Sequence, residues 1–196
     1  MFGICNDSGV VIAKFAAPMT VRSNHPVFSS DTLSLKRHIT RRSAQRWEIS
    51  TNVEPSSTGA NDLFVSLITK GYDTNVKVLM PQNYGVITKR ILTNSIVSAS
   101  GAANASSINI SGNPGTMPRG TFFVADNPNH TKVYMTTEDR VGAGPVGVYP
   151  PLRLAIGENI LIGNNVIGLF KYDLDTVSGM VYSDGILMDN GTIKLV

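Results

Sequence analysis

Apolar and polar residues alternate in short runs along most of this chain, and the runs end at Gly, Pro, Asn or Asp. A period of two marks a strand with one face buried, and those residues bound it with turns. Gly9-Val-Val-Ile-Ala-Lys-Phe15 is rich in β-branched residues and stops before Pro18, after which Thr20-Val-Arg22 reads as extended. Residues 33–53 read as one or two half-buried strands, because Leu35, Ile39, Trp47, Ile49 and Val53 stand at odd positions and many charges at even ones. Glu54 to Gly59 is a loop by composition. One segment breaks the period. With Asn61 or Asp62 as N-cap, Leu63, Phe64, Leu67 and Ile68 on one face and Gly71 as the stop, a short helix is expected near 61–70. Asn75 to Met80 follows as a strand closed by Pro81.

From Gly85 the texture changes. Val86 to Val97 reads as one long or two short strands, Ser98 to Ala105 as a small, polar loop or hairpin tip, and Ser106 to Ile110 as a strand. Gly112 to Gly120 is a turn-dense connector. Thr121–Ala125 and Thr131–Thr136 are strands about an Asp126-Asn-Pro-Asn129 turn, and Val146–Leu154 is a strand interrupted by Pro150-Pro151. Ile160–Ile162, Val166–Tyr172, Gly179–Tyr182, Ile186–Met188 and Thr192–Val196 complete the set, with Asp184-Gly185 and Asn190-Gly191 as turn signals. Short strands at close spacing with one helix predict a mostly β fold, a barrel or sandwich.

Composition narrows the class. The 196 residues are 42% hydrophobic and 16% charged, which disfavours a disordered, acidic or coiled-coil chain. No apolar run reaches the length of a membrane helix, and the N-terminus does not read as a signal peptide. A single cysteine, Cys5, excludes an intrachain disulfide framework. The net charge of +3 is unevenly spread: residues 1–60 hold seven Lys/Arg against four acids, and residues 157–196 hold two against five. The basic density lies in Lys36, Arg37, Arg41, Arg42 and Arg46, expected as a solvated or subunit-facing surface rather than a nucleic-acid site.

No catalytic or cofactor constellation emerges. Gly142-Ala-Gly-Pro-Val-Gly147 has the dinucleotide-binding spacing, but Pro145, Pro150 and Pro151 forbid the helix that would receive a pyrophosphate, so it reads as a turn. His25, His38 and His130 have no ligand-spaced partners and read as surface or turn residues. Cys5 lacks an identifiable base and reads as inert, and Glu138-Asp139 reads as a solvated turn. Neither a metal nor a cofactor is expected, and the chain reads as non-enzymatic.

Arg42-Ser-Ala-Gln-Arg-Trp-Glu-Ile49, a Pro-containing loop, an amphipathic helix and Val76-Lys-Val-Leu-Met-Pro81 together resemble the distal tail proteins of tailed bacteriophages. Gly120-Thr-Phe-Phe123, His130-Thr-Lys-Val-Tyr-Met135 and Tyr149-Pro-Pro-Leu152 fit the same family in the same order, with Thr121 where an acidic residue is common. The anchors run from about residue 40 to 155. The resemblance implies a ring-forming β-barrel or sandwich domain from residues 1–85 plus 167–196, with a small OB-like barrel inserted at 86–166. It implies a structural part of the virion, made in the host cytoplasm: a ring of six copies that joins the tail tube to the central hub and to baseplate or fibre proteins. No membrane is implied, nor nucleic acid beyond DNA passing through the lumen. The basic N-terminal and acidic C-terminal segments would then complement one another within a subunit or around the ring. A rival reading makes the inserted barrel a carbohydrate-binding adhesion module, for which its aromatics are Phe122, Phe123, Tyr134 and Tyr149.

Overall fold

The computed structural model describes residues 2–34, 36–41, 44–54, 63, 65, 69, 74–82, 96–112, 115–163, 166–173, 181–183, 186–189 and 192–196, with the backbone alone at 41, 181–183 and 186–189. The chain is mostly β. Strands β1 (Gly3–Cys5), β2 (Val11–Lys14) and β3 (Thr20–Asn24) lead into a hairpin of β4 (Val27–Asp31) and β5 (Arg37–Arg41). β6 (Arg46–Asn52) and β7 (Val76–Leu79) follow. Then come β8 (Ile96–Ser100), β9 (Ser107–Ile110), β10 (Thr116–Met117), β11 (Phe122–Ala125), β12 (Val133–Thr136), β13 (Arg140–Val141), β14 (Gly144–Tyr149) and β15 (Asn159–Ile162). β16 (Ile167–Phe170), β17 (Val181–Ser183), β18 (Ile186–Asp189) and β19 (Thr192–Leu195) end the chain.

Six of these close into a barrel in the order β11-β12-β14-β9-β8-β15, all drawn from residues 96–162. Strands on either side of that stretch pair with each other instead. β16 lies beside β7 in a sheet ordered β16-β7-β1-β2, and β19 lies beside β6 in a sheet ordered β19-β6-β3. Single bridges, Phe15 to Val53 and Tyr172 to Leu195, join the two sheets. Their apolar faces meet in one core that includes Ile4, Ala13, Ile49, Val78, Val166, Phe170 and Leu195. Leu63 is helical and buried in that core, as the amphipathic segment predicts, and the Thr69 hydroxyl donates to the Val65 carbonyl at 2.8 Å one helical turn back.

The barrel interior is solid. Val97, Ile108, Ile110, Met117, Phe123, Tyr134, Val146, Leu152, Ile160 and Ile162 fill it. β11 and β12 lose the expected alternation because both of their faces are covered. Phe123 and Tyr134 point into the barrel, while Val124 and Val133 join the core of the sheets, with Phe122 and Met135 packed on it. Pro145 is tolerated within β14 because β14 pairs with β9 at that level and with β12 only at Val148 and Tyr149.

Several expectations need correction. Ser98–Ser100 is not loop but the end of β8, whose alternate residues Val97 and Ala99 enter the barrel; the tip begins at Ala102. Small residues occur there because space is short: a Cβ at Gly101 would lie 2.7 Å from Leu152 Cδ1. Gly144 to Gly147 is strand rather than turn. The alternation over 33–53 survives only along β6 and the residue after it, where Trp47, Ile49, Thr51 and Val53 are buried and Glu48 alone breaks the pattern; every described residue from Lys36 to Thr40 is exposed. The connector at 112–120 contains β10, and β1 and β4 carry no pattern signal that marked them. The loop expected at 55–59, the caps and most of the helix, Val86 to Ser95, Asp184-Gly185 and Asn190-Gly191 lie outside the described residues.

Candidate interaction surface

The five basic residues fall on two different elements. Lys36 and Arg37 stand on the β4–β5 hairpin, and Arg41 ends β5 opposite Val27; Arg42 lies outside the described residues. Arg46 begins β6, on the three-stranded sheet. Arg37 meets Asp31 across the hairpin at 3.4 Å, with both side chains largely in solvent. Such a pair contributes little stability. The tip is shaped by Thr32, whose amide donates to the Lys36 carbonyl at 3.0 Å and whose hydroxyl accepts from the Lys36 amide at 3.2 Å.

Among the described residues the hairpin pairs with no other strand. All five residues of β4 are exposed, and Val27, Phe28, Leu33 and Ile39 leave large apolar side chains in solvent. Cross-strand pairing puts Val27, Ser29, Asp31, Arg37 and Ile39 on one face and Phe28, Ser30, His38 and Thr40 on the other.

Arg46 takes part in a different arrangement. Glu48, on the outer face of β6, is 2% exposed and is covered by charge rather than by apolar packing. Arg22 Nη2 and Nε both lie 2.7 Å from Oε2; Asn24 Nδ2 donates at 2.5 Å and Arg46 Nη2 at 3.1 Å to Oε1. Burial pushes this carboxyl up, but the hydrogen bonds from Asn24 and Arg22 and the charges of Arg22 and Lys194 outweigh it and hold it at about 2. A shallow recess of about 360 Å³ lies over this group, bounded by Thr20, Ser50 and Lys194. Among the described residues Arg37 pairs with Asp31 and Arg46 with Glu48, while Lys194 pairs with Asp173 at 2.5 Å; Asp175, Asp184 and the side chain of Asp189 lie outside them.

The barrel is joined to the sheets by a seam that is apolar at its centre and hydrogen-bonded at its margins. Trp47 donates its indole N–H to the Val133 carbonyl at 2.9 Å and meets Phe122 and Tyr149 edge-on, with ring centroids 5.2 and 6.0 Å away. Gln82 donates to the carbonyls of Phe122 and Gly163 at 3.1 and 3.3 Å and accepts from the Phe122 amide at 3.1 Å. On one margin Ser23, His25, Gln45 and Tyr149 form a polar cluster. Ser23 Oγ lies 2.9 Å from Tyr149 Oη and accepts from Gln45 at 3.0 Å, and His25 Nε2 bonds Tyr149 Oη. Lys132 donates to the Gln45 carbonyl. Burial first, and the Arg153 charge second, push the Lys132 ammonium down.

The histidines divide as the sequence did not foresee. His38 is exposed, His25 serves the seam, and His130 is 3% exposed rather than on the surface. Tyr134 Oη accepts the Arg153 amide at 2.9 Å and shares a hydrogen bond of 2.6 Å with His130 Nε2. Burial, with the Arg153 charge, pushes His130 down and keeps it neutral. Cys5 is a buried free thiol that burial pushes up. Glu138 and Asp139 each accept a backbone amide, from Gly147 and Arg119, both at 2.7 Å, and so brace exposed turns. Among the described residues no cluster of His, Cys, Asp and Glu could hold a metal ion, and no helix is long and apolar enough to cross a membrane.

A groove of about 530 Å³ opens between the β1–β2 turn, the outer face of β16 and the barrel wall. Val124, Leu161, Ile167 and Leu169 form its floor and Asp7, Lys77 and Asp126 its rim. Lys77 is paired with Asp7 at 3.4 Å. The turn takes its shape from Asn6, whose side chain accepts the amides of Ser8 and Val10, and from Gly9, held at a φ of +79° that an L side chain rarely adopts.

Compared with known proteins, the chain matches no family model and no curated protein.

Proposed function

We propose that this chain is a structural ring subunit of a bacteriophage tail tip, joining the tail tube to the hub and to baseplate or fibre proteins. The identification rests on the resemblance of residues 40–155 to distal tail proteins. The observation that best supports it is topological: a closed, solid barrel interrupts a chain whose flanking strands, β7 and β16, are hydrogen-bonded neighbours. That is the order the resemblance implies, a ring-forming unit of residues 1–85 and 167–196 with a barrel inserted at 86–166. The inserted unit is OB-like in being a small closed antiparallel barrel, although it closes with six strands where an OB-fold has five. A barrel without a lumen offers outer surfaces, not a chamber, and suits a part that works by fitting neighbours. In this reading the protein is not an enzyme, forms hexamers, and belongs to the virion.

No specific observation favours the saccharide-binding alternative. Phe123 and Tyr134 are inside the barrel, and Phe122 and Tyr149 are spent against Trp47, so none of the four offers a stacking platform. The test is the solution mass of the full chain by light scattering across concentration and salt, with electron microscopy of the largest species. Six-fold rings are expected; a chain that remains monomeric at every concentration and salt overturns the proposal.

A further inference from the structure

The β4–β5 hairpin has little support among the described residues. Its described side chains lie largely in solvent on both faces, it hydrogen-bonds to no other described strand, and isolated two-stranded hairpins are marginal in water. Yet it carries large apolar side chains at its most exposed positions, Val27 at 51%, Phe28 at 66%, Ile39 at 58% and Leu33 at 107%. Residues 27–42 also hold four Lys/Arg against one Asp. An apolar, cationic arm asks for an apolar surface with an acidic border. The groove beside β16 has that character: Val124, Leu161, Ile167 and half-exposed Leu169 line it. Asp126 stands on its rim with no ion pair among the described residues, and Glu158 lines a recess that shares Asp126 with it.

We infer that the β4–β5 arm of one copy docks into the β16 groove of a second copy of this chain. The inference rests on the ring reading above and deepens it. Two different surfaces meet, so the contact is heterologous, the kind that generates a closed ring or an open fibre according to the rotation it imposes. Apolar burial of Val27 and Ile39, which share one face of the hairpin, supplies the affinity, and the facing charges of the arm and of Asp126 supply orientation and encounter rate.

The test uses the full chain carrying Ile39→Cys together with Leu169→Cys, oxidised at concentrations spanning assembly and run without reductant, with each single variant as control. Cys5 is buried and stays out of the exchange. A ladder of disulfide-linked multimers that needs both cysteines is expected. In parallel, Ile39→Asp, whose site is in solvent and touches no core, is expected to raise the concentration needed for assembly about tenfold or more while leaving the melting temperature unchanged. Oligomers that form without a ladder and are indifferent to Ile39→Asp overturn the arm contact and leave the ring reading standing, with the arm then assigned to another tail protein. A disulfide confined to the monomer also overturns it, since the arm would then dock on its own chain. A chain with neither oligomers nor ladder at any concentration overturns both.

Discussion

Replacing Glu48 by Gln removes one buried charge and little volume, and its effect on stability has a defined pH signature. The carboxylate is 2% exposed and is held at about 2 against an ordinary 4.5, chiefly because the bonds from Asn24 and Arg22 and the charges of Arg22 and Lys194 overcome the cost of burial. A carboxylate whose folded value is depressed contributes stability that is complete above the unfolded value and is lost as pH falls through the folded one. The window therefore opens near pH 5 and closes near pH 2. A gap of this size converts to about 3 kcal/mol. The guanidiniums of Arg22 and Arg46 are 63% and 57% exposed, and solvent screening reduces the figure to about 2 kcal/mol. For a chain of this length that is about 4–8 °C in melting temperature. Urea unfolding of the wild type and Glu48→Gln at pH 7, 5, 4, 3 and 2 measures it. The variant is expected to be less stable at pH 7 and to converge on the wild type at pH 2. Parallel stability curves across that range would refute the assignment of Glu48 as a buried, ionised anchor of β3 and β6.

Other perturbations separate the seam from the arm. Trp47→Ala should cost about 3–5 kcal/mol in urea unfolding, because it deletes the side chain that packs Phe122 and Tyr149 and leaves the Val133 carbonyl without its donor. Gly168→Ala should destabilise by about 1–3 kcal/mol, since a Cβ there would lie 2.7 Å from Val133 Cγ2 and 2.6 Å from Phe170 Cε2; Gly157→Ala, with nothing within 4 Å, should be neutral in the same melt. His130→Gln should abolish a loss of stability that begins in the wild type as pH falls below about 6.5, because an imidazole pushed down by burial must take up a proton to unfold; a wild-type melting temperature flat from pH 7.5 to 5.5 would contradict this.

Much of the strand pattern was legible because alternation reports one covered face. β6 read correctly at Trp47 and Ile49 in that sense and β8 only as far as Val97, while the small residues from Ser98 to Ser100 disguised the rest of β8 as a loop. Alternation cannot say what does the covering. Leu35 and Ile39 carry the same signal as Trp47 and Ile49, yet Ile39 is in solvent and Ile49 is fully buried, since only β6 has a sheet and a barrel wall against it. Glu48 escaped notice because its partners Arg22 and Asn24 lie on a strand more than twenty residues earlier, and no local pattern announces such a cage. Gln82 escaped for the same reason: its three bonds reach backbone groups of Phe122 and Gly163, which have no sequence signature. His130 looked like a turn residue and does follow a turn, but Tyr134 and the barrel end enclose it.

The seam and the arm have opposite requirements, and that difference bears on how such a subunit could act. At the seam, Trp47, Gln82 and Gly168 bring strands of two sheets against a barrel wall with their polar groups bonded across the junction, so a displacement of the barrel must break apolar contact and hydrogen bonds together. Among the described residues the arm has neither: its backbone bonds are internal, and its apolar side chains meet water. A segment held by few contacts opens and reorients at low cost, whereas one whose contacts span two cores does not. A part that must fit different neighbours on different faces needs both properties, a rigid body to fix geometry and a compliant arm to complete the contact. Under the proposed arm contact, the apolar residues of the arm would have a physical reason to be exposed in the single chain, because the surface that covers them would be supplied only on assembly.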